Sequence, residues 1–250
     1  MFSTDFHPSF INQPDGDAAL WRYMDIARFV SLLEDKAIYF ARADQMSDKW
    51  EGSFSQANVE LRPQLYGEHF EVINVQAADR RISALRSMHM NCWHESSVES
   101  AAMWDIYQHE GRGVALRTDW ASLTTSIGSD RTIFGARIKY ADYHSTFIPE
   151  GNAFDAFMHK RLSFAHEREV RLIMMTGLSA PHPTEENSAI FLGPEPPVIP
   201  IPVDLEKLIH GIYVAPGSPR WIADLIEKLV KRYGYAFDVC HSDLATDPIA

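Results

Sequence analysis

Short apolar runs, separated by helical stretches of unequal length, restrict most strongly how this chain can fold. Residues 20–24 and 37–40 are apolar and strand-like, and the segment between them has apolar residues at helical spacing behind Asp25. Asp25 belongs to the residue types that cap helix N-termini, and Lys36 stands where that helix ends. The chain is therefore predicted to open with a strand, one short helix and a second strand.

The same irregular pattern continues to the C-terminus. Strands and helices do not alternate one for one, which argues against a doubly wound sheet and favours an α+β fold. We expect an irregular arm at residues 1–18 and a single domain at 19–250, with a mixed, mainly antiparallel central sheet of short strands flanked by helices. Further strands are predicted at 88–93, 114–116, 132–140, 170–175, 212–214 and 237–240. Further helices are predicted at 56–87, after a capping box at 96–99, at 119–127, 152–164 and 204–208, and after Ser218. A surface loop is predicted at 177–200.

Composition excludes several classes of protein. The 250 residues include 34 acidic and 23 basic side chains, a formal net charge of −11. An acidic surface repels phosphate backbones and anionic lipids, so general nucleic-acid coating is not expected. No stretch is long enough to span a bilayer, the first residues do not form a signal peptide, and Cys92 and Cys240 do not make a disulfide framework. A cytoplasmic location without a membrane partner is expected.

The densest group of polar residues lies at 161–171. If a strand begins near Glu167, its period of two places Glu167, Glu169 and Arg171 on one face. Two close carboxylates resist ionising together, so one tends to keep a proton, which suits acid–base chemistry or the orientation of a sugar hydroxyl. The alternative is a ladder of Glu–Arg ion pairs along a sheet face, which is the more frequent arrangement.

Arg22 lies between aromatic residues in the first predicted strand. A buried guanidinium needs a partner, which is either a carboxylate or the phosphate of a ligand. A structural pair with Glu169 or Glu51 and a ligand site are equally open for Arg22.

A polar loop follows the second predicted strand. Loops held by strands often carry functional residues, although a loop pinned by its own turn hydrogen bonds is an equal alternative. The loop carries Arg42, Asp44, Asp48, Trp50 and Glu51.

Segment 89–95 contains two histidines and a cysteine. Cys92 and His94 share one strand face and His89 lies on the other, so the ligands do not converge and no metal is expected. We interpret them as a buried thiol and a hydrogen-bonded histidine. The chain also has no P-loop, no G-x-G-x-x-G, no H-E-x-x-H and no G-x-S-x-G motif. Trp104 and Tyr107, at helical spacing, are expected in the core.

With these segments in hand, the chain resembles a bacterial family known only as domain of unknown function 2971. The matching stretches run in the family's order from Leu20 to Trp221: LWRYMDIARFVSLLEDKAIYFARADQMSDKWEGS, CWHESSVESAAMWDIY, GVALRT, KRLSFAHEREVRL and IYVAPGSPRW. The family has no assigned activity, and some of its members are associated with phage-defence loci. The resemblance therefore implies a phage-defence or toxin-type context and no chemistry.

The chain is also similar to the ADP-ribosyltransferase fold. Those enzymes open with a strand bearing Arg or His, a short helix and a second strand, and close with a strand that begins with Glu, often as Glu-x-Glu. Arg22 corresponds to the first motif and Glu167-Arg168-Glu169 to the last. The similarity implies that Arg22 anchors the NAD phosphates, and that Glu169 bonds the nicotinamide ribose and stabilises its oxocarbenium ion. Tyr39 matches the Tyr of one subgroup, but no Ser-Thr-Ser follows it.

The leading hypothesis is an NAD-consuming, ADP-ribosyltransferase-like enzyme. NAD is then a substrate, since the residues by themselves imply no cofactor, and protein partners stay unknown. Glu169 and Glu167 are its candidate catalytic residues, and its candidate nucleotide-binding residues are Arg22, Tyr39, Arg42, Trp50 and His94.

Two further hypotheses remain open. The chain could be a non-enzymatic ligand- or partner-binding module whose polar residues form a buried ion-pair network. It could also be a metal-dependent nuclease or phosphodiesterase, since carboxylates bind hard metal ions. Its ligands would come from Asp44, Asp48, Glu51, His94 and Glu95.

Overall fold

The opening strand, helix and strand form as the sequence predicts. In the computed structural model, β1 spans Ala19–Asp25, α1 spans Ile26–Asp35 and β2 spans Ala37–Arg42. The Asp25 carboxylate caps α1 by accepting a hydrogen bond of 2.8 Å from the backbone N–H of residue 28. Lys36 then takes a left-handed conformation, with φ of 48°, which turns the chain from the helix into β2.

The structure describes residues 1–107, 112–176, 178–181, 189–191 and 196–246. The remaining elements are α2 (Gln56–Tyr66), α3 (Phe70–Ser87), β3 (Met88–Glu95), α4 (Ala101–Tyr107), β4 (Gly113–Asp119), α5 (Trp120–Ser126), β5 (Phe134–Arg137), β6 (Lys139–Ala141), β7 (His159–Arg161), β8 (Glu169–Met175), β9 (Leu178–Pro181), β10 (Ala189–Phe191), β11 (Val198–Pro202), α6 (Leu205–Leu208), β12 (Gly211–Val214), α7 (Arg220–Arg232) and β13 (Val239–His241).

Nine of the described strands form one sheet, which is antiparallel except where β12 pairs with β13. Its main path runs β11-β2-β3-β1-β4-β12-β13, while β8 pairs with both β3 and β5. The other described strands form two separate pairs, β9 with β10 and β6 with β7. The predicted α+β fold with a mixed, mainly antiparallel central sheet is confirmed.

β1 and β2 lie along the same edge of β3 and leave a gap between them. β2 pairs with residues 89–90 of β3, and β1 pairs with residues 94–95. β8 occupies the opposite edge of β3 over residues 88–94. Residues 91–93 therefore face the gap without a paired strand on that edge, as far as the described residues extend.

Buried side chains cover both faces of the sheet. The largest apolar cluster lies beneath α1, α5, α6 and α7 and includes Leu20 and Trp93. A separate cluster on the other face includes Trp21, Tyr23 and Trp104. This division follows from the period of two in β1. Trp21 pairs with residue 94, and residue 94 pairs with residue 169. Because directly paired residues share a face, the polar start of β8 lies on the Trp21 face of the sheet.

The helix predicted at residues 152–164 does not form. Two 3-10 turns, at Asp155–Phe157 and Leu162–Glu167, lie on either side of β7. The Asn152 side chain accepts hydrogen bonds from the backbone N–H groups of residues 154 and 155, which starts a tight turn, and β7 pairs with β6. The helical prediction is wrong because local capping and strand pairing override the apolar spacing.

The strand expected to begin near Glu167 begins two residues later. Glu167 ends a 3-10 turn, Arg168 is left-handed with φ of 39°, and β8 starts at Glu169. The left-handed residue interrupts the alternation of side chains, so Glu167 does not share a strand face with Glu169 and Arg171.

Three other boundaries also differ from the prediction. Ser96 does not open a helix: its hydroxyl accepts a hydrogen bond from the backbone N–H of residue 98, and α4 begins at Ala101. The strand predicted at 132–140 divides into β5 and β6. The predicted loop at 177–200 contains β9, β10 and the start of β11, while residues 177, 182–188 and 192–195 lie outside the described residues.

The N-terminal arm lies against β5. The Ser3 backbone N–H donates to the carbonyl oxygen of Ile133 at 2.7 Å, and the Arg137 N–H donates to the carbonyl of Asn12 at 2.9 Å. Phe10 is buried in an apolar cluster that also contains Met88 and Met90 of β3 and Ile173 of β8. In the part of the chain that the structure describes, every helix is too short or too polar to pass through a bilayer.

Candidate active site

The gap between β1 and β2 opens into a cleft of about 670 Å³. Its walls come from β1, α1, β2, β3 and α4, and its inner end is formed by residues 46–51, β7 and the start of β8. A cleft of this size can hold a ligand of nucleotide size. Five of the seven predicted site residues line it: Arg22, Tyr39, His94, Glu167 and Glu169.

Glu169 lies at the inner end of the cleft, and both of its carboxylate oxygens bind cations. Oε1 accepts a hydrogen bond of 2.7 Å from Arg171 Nε, and Oε2 accepts one of 3.1 Å from Lys160 Nζ. Burial favours the neutral acid, but the charges of Arg171 and Lys160 outweigh burial and hold the pKa of Glu169 well below its usual range. Glu169 is therefore an anion throughout the physiological pH range.

Glu167 is held beside Glu169 by the same ammonium group. Lys160 Nζ donates to Glu167 Oε2 as well as to Glu169 Oε2. Burial raises the pKa of the Glu167 carboxyl, against the opposing attraction of Lys160. The two predicted carboxylates thus meet through Lys160 and not along one strand face, and Glu167 is the one that takes up a proton more easily.

Arg171 links Glu169 to a third carboxylate, Glu51. Arg171 is 1% exposed, and its Nη1 lies 2.5 Å from Glu51 Oε1. Burial raises the pKa of Glu51, while Arg171 lowers it. We call the series Glu51, Arg171, Glu169, Lys160 and Glu167 the ion-pair chain. It alternates in charge from the buried loop to the open cleft, which stabilises charges that burial alone would neutralise.

Arg22 does not join the ion-pair chain. By strand alternation its side chain belongs to the α1 face of the sheet, where its guanidinium lies over the Trp93 ring, 5.7 Å from the centroid. Its Nη1 reaches into the gap and donates to the carbonyl oxygen of Cys92 at 2.7 Å. No carboxylate among the described residues is paired with Arg22, so Arg171 takes the pairing with Glu51 and Glu169 that was open for Arg22.

Burial lowers the pKa of the Arg22 guanidinium, and the nearby charge of Arg28 acts in the same direction. A desolvated cation that borders an open cleft and has no anionic partner in the described chain favours a negatively charged ligand.

Tyr39 and His94 line opposite parts of the cleft. The Tyr39 hydroxyl donates to Asp35 of α1, and burial and Asp35 raise its pKa to about 12, so it stays a neutral phenol. His94 Nδ1 lies 2.6 Å from the carbonyl oxygen of Glu167, to which it donates. Burial lowers the pKa of His94, which keeps the ring neutral at pH 7.

Arg42 and Trp50 do not line the cleft. Arg42 forms a two-pronged ion pair with Asp44, at 2.8 and 2.9 Å. Trp50 is 44% exposed and packs between Tyr143 and the guanidinium of Arg161. The loop that carries them contributes Asp48 and Glu51 to the cleft instead.

The carboxylates proposed as metal ligands are each engaged with an arginine. Asp44 pairs with Arg42, Asp48 with Arg161, Glu51 with Arg171 and Glu95 with Arg137. Among the described residues, no three His, Cys, Asp or Glu side chains converge in a way that could hold a metal ion. This arrangement argues against the nuclease hypothesis, because bound guanidinium groups exclude a metal from the same oxygens.

Lys160 and Tyr107 are polar residues of the cleft that were not identified from the sequence. Lys160 lies in the segment predicted as helix, where its neighbours gave no sign of a short strand. Tyr107 was expected in the core with Trp104, but it is 37% exposed and lines the cleft, whereas Trp104 is buried. Burial raises the pKa of Tyr107, and the charges of Cys92 and Glu167 add to this, which places its phenol near the inner end. The available signal was its position shortly before Gly111-Arg112-Gly113, where the sequence predicts that the helix ends.

Comparison with known proteins gives only a distant likeness. No family model and no characterised protein matches the sequence, so the resemblance to domain of unknown function 2971 stays a prediction. Among solved structures, Thermus sp. 2.9 DarT in complex with ADP-ribosylated single-stranded DNA is similar at 7% identity and a TM-score of 0.42, over 94% of this chain and 99% of that one. The complex of the same protein with NAD+ is similar at 8% identity and a TM-score of 0.42, over 94% and 100%. A likeness this distant says nothing about chemistry, which has to be read from the cleft itself.

Proposed function

We propose that the cleft binds an oxidised nicotinamide dinucleotide and cleaves the bond between its ribose and its nicotinamide, in the manner of an ADP-ribosyltransferase. One observation carries this proposal. Glu169 is a carboxylate kept ionised at the inner end of an open cleft, and the same cleft is bordered by Arg22, for which the described residues supply no carboxylate.

The charges that line the cleft suit a ligand with two unlike ends. Arg22 and Arg28 border it where β1 passes into α1, and carboxylates outnumber cations in the ion-pair chain at the other end. An oxidised nicotinamide ring is cationic and a diphosphate is anionic, so one dinucleotide satisfies both ends. In this proposal Arg22 binds phosphate, while Tyr39 and His94 border the nucleotide. Arg42 and Trp50 have no part in it.

The ionised state of Glu169 fits this bond cleavage. When the C1′–N bond breaks, its electron pair leaves with nicotinamide, which becomes neutral, and positive charge develops on the ribose. An anion that is already fixed beside the ribose stabilises this charge without reorganising. The acceptor then forms the new bond to C1′ and loses a proton. Glu167, whose raised pKa makes it the stronger base, is placed to take that proton.

The test is release of nicotinamide from NAD+ by the purified chain. Glu169→Gln keeps the shape of the side chain but removes its charge, and we expect turnover to fall by about 100- to 1000-fold. Glu227→Gln, on the exposed face of α7, is the matched control and should turn over like wild type. Calorimetric titration with NAD+ separates binding from chemistry. Equal turnover in Glu169→Gln and wild type contradicts the proposal, as does a wild-type chain that neither binds nor cleaves NAD+.

The complete pairing of the ion-pair chain favours one alternative, a non-enzymatic binding module. In that case the chain is structural, and Glu169→Gln lowers stability by about 3–5 kcal/mol, the cost of leaving a buried charge unpaired. Thermal melting of the same variant distinguishes the two functions, since a folded variant that binds NAD+ without cleaving it supports the enzyme.

A further inference from the structure

The ammonium group of Lys160 is shared between the two carboxylates that the proposed function uses. Glu169 Oε1 is directed into the protein and bound to Arg171, whereas Oε2 is directed towards Lys160 at 3.1 Å. The same Nζ binds Glu167 Oε2. Both carboxylates therefore depend on one flexible side chain for their relative position.

The surrounding structure holds Lys160 in this place. β7 pairs with β6 so that Lys160 lies beside Tyr140, whose hydroxyl accepts the backbone N–H of Glu169 at 2.8 Å. The ring of Phe164 covers the ammonium group, 4.8 Å from its centroid. Lys160 is thus oriented by two carboxylates and one aromatic face before any ligand is present.

The neighbouring residue has a different acidic partner. Arg161 is partly exposed, pairs with Asp48 and stacks on Trp50. The two adjacent cations of this short strand share the ring of Phe164 but have different acidic partners. Only Lys160 contacts both acids of the Glu-Arg-Glu motif. This arrangement is what a positioning group requires.

We propose that Lys160 is a positioning residue that keeps Glu169 ionised and oriented towards the substrate while holding Glu167 beside it as the proton acceptor. The role rests on the proposed function, because the two acids act on the substrate and Lys160 acts through them. Loss of the ammonium group leaves two neighbouring carboxylates without the charge between them, and they then compete for one proton. The other titratable and charged groups that face this pair are Glu51, Arg171, Cys92, His94, Tyr107 and Tyr140.

The first experiment measures nicotinamide release as a function of pH in wild type, Lys160→Met, Lys160→Arg and Arg161→Met. We expect Lys160→Met to lower kcat at pH 7 by about 10- to 100-fold, the effect of losing a hydrogen bond to a charged group, with KM changed less than about threefold. Activity should return at higher pH, because the proton that the two carboxylates hold in the variant is then lost. Lys160→Arg restores the charge and should recover most of kcat, and Arg161→Met should keep the wild-type profile. A wild-type pH profile and kcat in Lys160→Met overturn the proposal.

The second experiment does not depend on turnover. NMR titration of glutamate carboxyl carbons, assigned with Glu167→Gln and Glu169→Gln, follows the protonation of each acid. In wild type, Glu169 should stay ionised down to the lowest pH at which the protein is folded, and in Lys160→Met its titration should move upward. Lys160→Gln serves if Lys160→Met does not fold. Unchanged titration of both acids overturns the role of Lys160, whereas a wild-type chain with no nicotinamide release overturns only the proposed function.

Discussion

Arg22 contributes one hydrogen bond to the described structure and has four further N–H donors. Its guanidinium joins β1 to β3 at the gap by bonding to the Cys92 carbonyl oxygen, and the remaining donors border the cleft. A planar cation of this kind recognises phosphate through two parallel hydrogen bonds. Binding of a dinucleotide should therefore depend strongly on this one side chain.

We expect Arg22→Met to raise the Kd for NAD+ by about 10- to 100-fold, because a methionine keeps the packing on Trp93 but cannot bond an anion. Isothermal titration calorimetry measures the change. Arg117→Met is the control, since Arg117 stacks on Trp21 of the neighbouring strand and does not line the cleft. Equal affinity in both variants shows that Arg22 serves only to join β1 to β3.

Single residues also show what could be predicted from the sequence. Arg22 and Glu169 stood out because a charged side chain in a strand needs a partner. The identity of the partner could not be predicted, because Arg171 reaches Glu51 across 120 residues of chain and only the folded loop brings them together. Lys160 was missed for a different reason: its importance depends on the left-handed Arg168, which separates Glu167 from the strand and leaves it beside Lys160.

At the scale of elements, the loop after β2, residues 43–55, is held in place by contacts with α3 and with Phe157. Arg81 of α3 donates to the carbonyl oxygens of Lys49 and Glu51, at 2.8 and 2.9 Å. Gly52 has φ of +65°, and a Cβ atom there would lie 2.4 Å from the ring of Phe157. The loop can therefore bring Glu51 to Arg171 only with a glycine at this position.

Gly52→Ala should lower the free energy of unfolding by about 1–3 kcal/mol, from the left-handed backbone and the overlap with Phe157. Urea denaturation monitored by tryptophan fluorescence measures it. Gly217→Ala, where a Cβ atom meets nothing within 4 Å, should stay within about 0.5 kcal/mol of wild type. If both variants unfold alike, the close approach to Phe157 does not restrain the loop.

The elements that the sequence predicted well are those with their own local signals. β1, α1 and β2 have strand runs and an N-cap within 25 residues, and the structure reproduces them. Residues 152–164 have helical spacing, but 159–161 pair with β6, a tertiary contact that no local pattern contains. The capping box at residues 96–99 failed because Glu99 accepts a hydrogen bond from the Trp104 indole instead of capping the chain.

At the scale of the whole molecule, buried histidines couple stability to pH. His159 is 7% exposed and donates from Nδ1 to the carbonyl oxygen of Asp155. Burial lowers its pKa below the usual value of 6.5, and the pKa of His94 is lowered in the same way. The unfolded chain then binds more protons than the folded one as pH falls below 6.5, so stability is full above that value and decreases as the pH approaches the folded-state pKa.

We expect the melting temperature of wild type to fall between pH 7 and pH 5, and to fall less steeply in His159→Gln, which cannot take up the proton. Differential scanning calorimetry at constant ionic strength measures the slope. The comparison between variants isolates the histidine from Glu51 and Glu167, whose raised pKa values act in the opposite direction. Parallel slopes in the two proteins show that His159 does not contribute.

The fold class is the level at which the sequence was most informative. Irregular alternation of short strands and helices is a property of the whole chain, so it survives local errors such as the missing helix at 152–164. The course of the sheet around β3 could not be predicted, because it depends on β1 and β2 sharing one edge of a strand while β8 takes the other.

That shared edge also determines how the two parts of the sheet are connected. β1 brings β4, β12 and β13 with it, β2 brings β11, and each group is attached to β3 through only two residue pairs. Between those pairs the backbone ladder is interrupted, so side chains such as Arg22, through its bond to the Cys92 carbonyl oxygen, make the contacts with β3 there. An elongated molecule bound across the gap would contact both groups of strands at once. It would restrain their relative motion without rearranging either group.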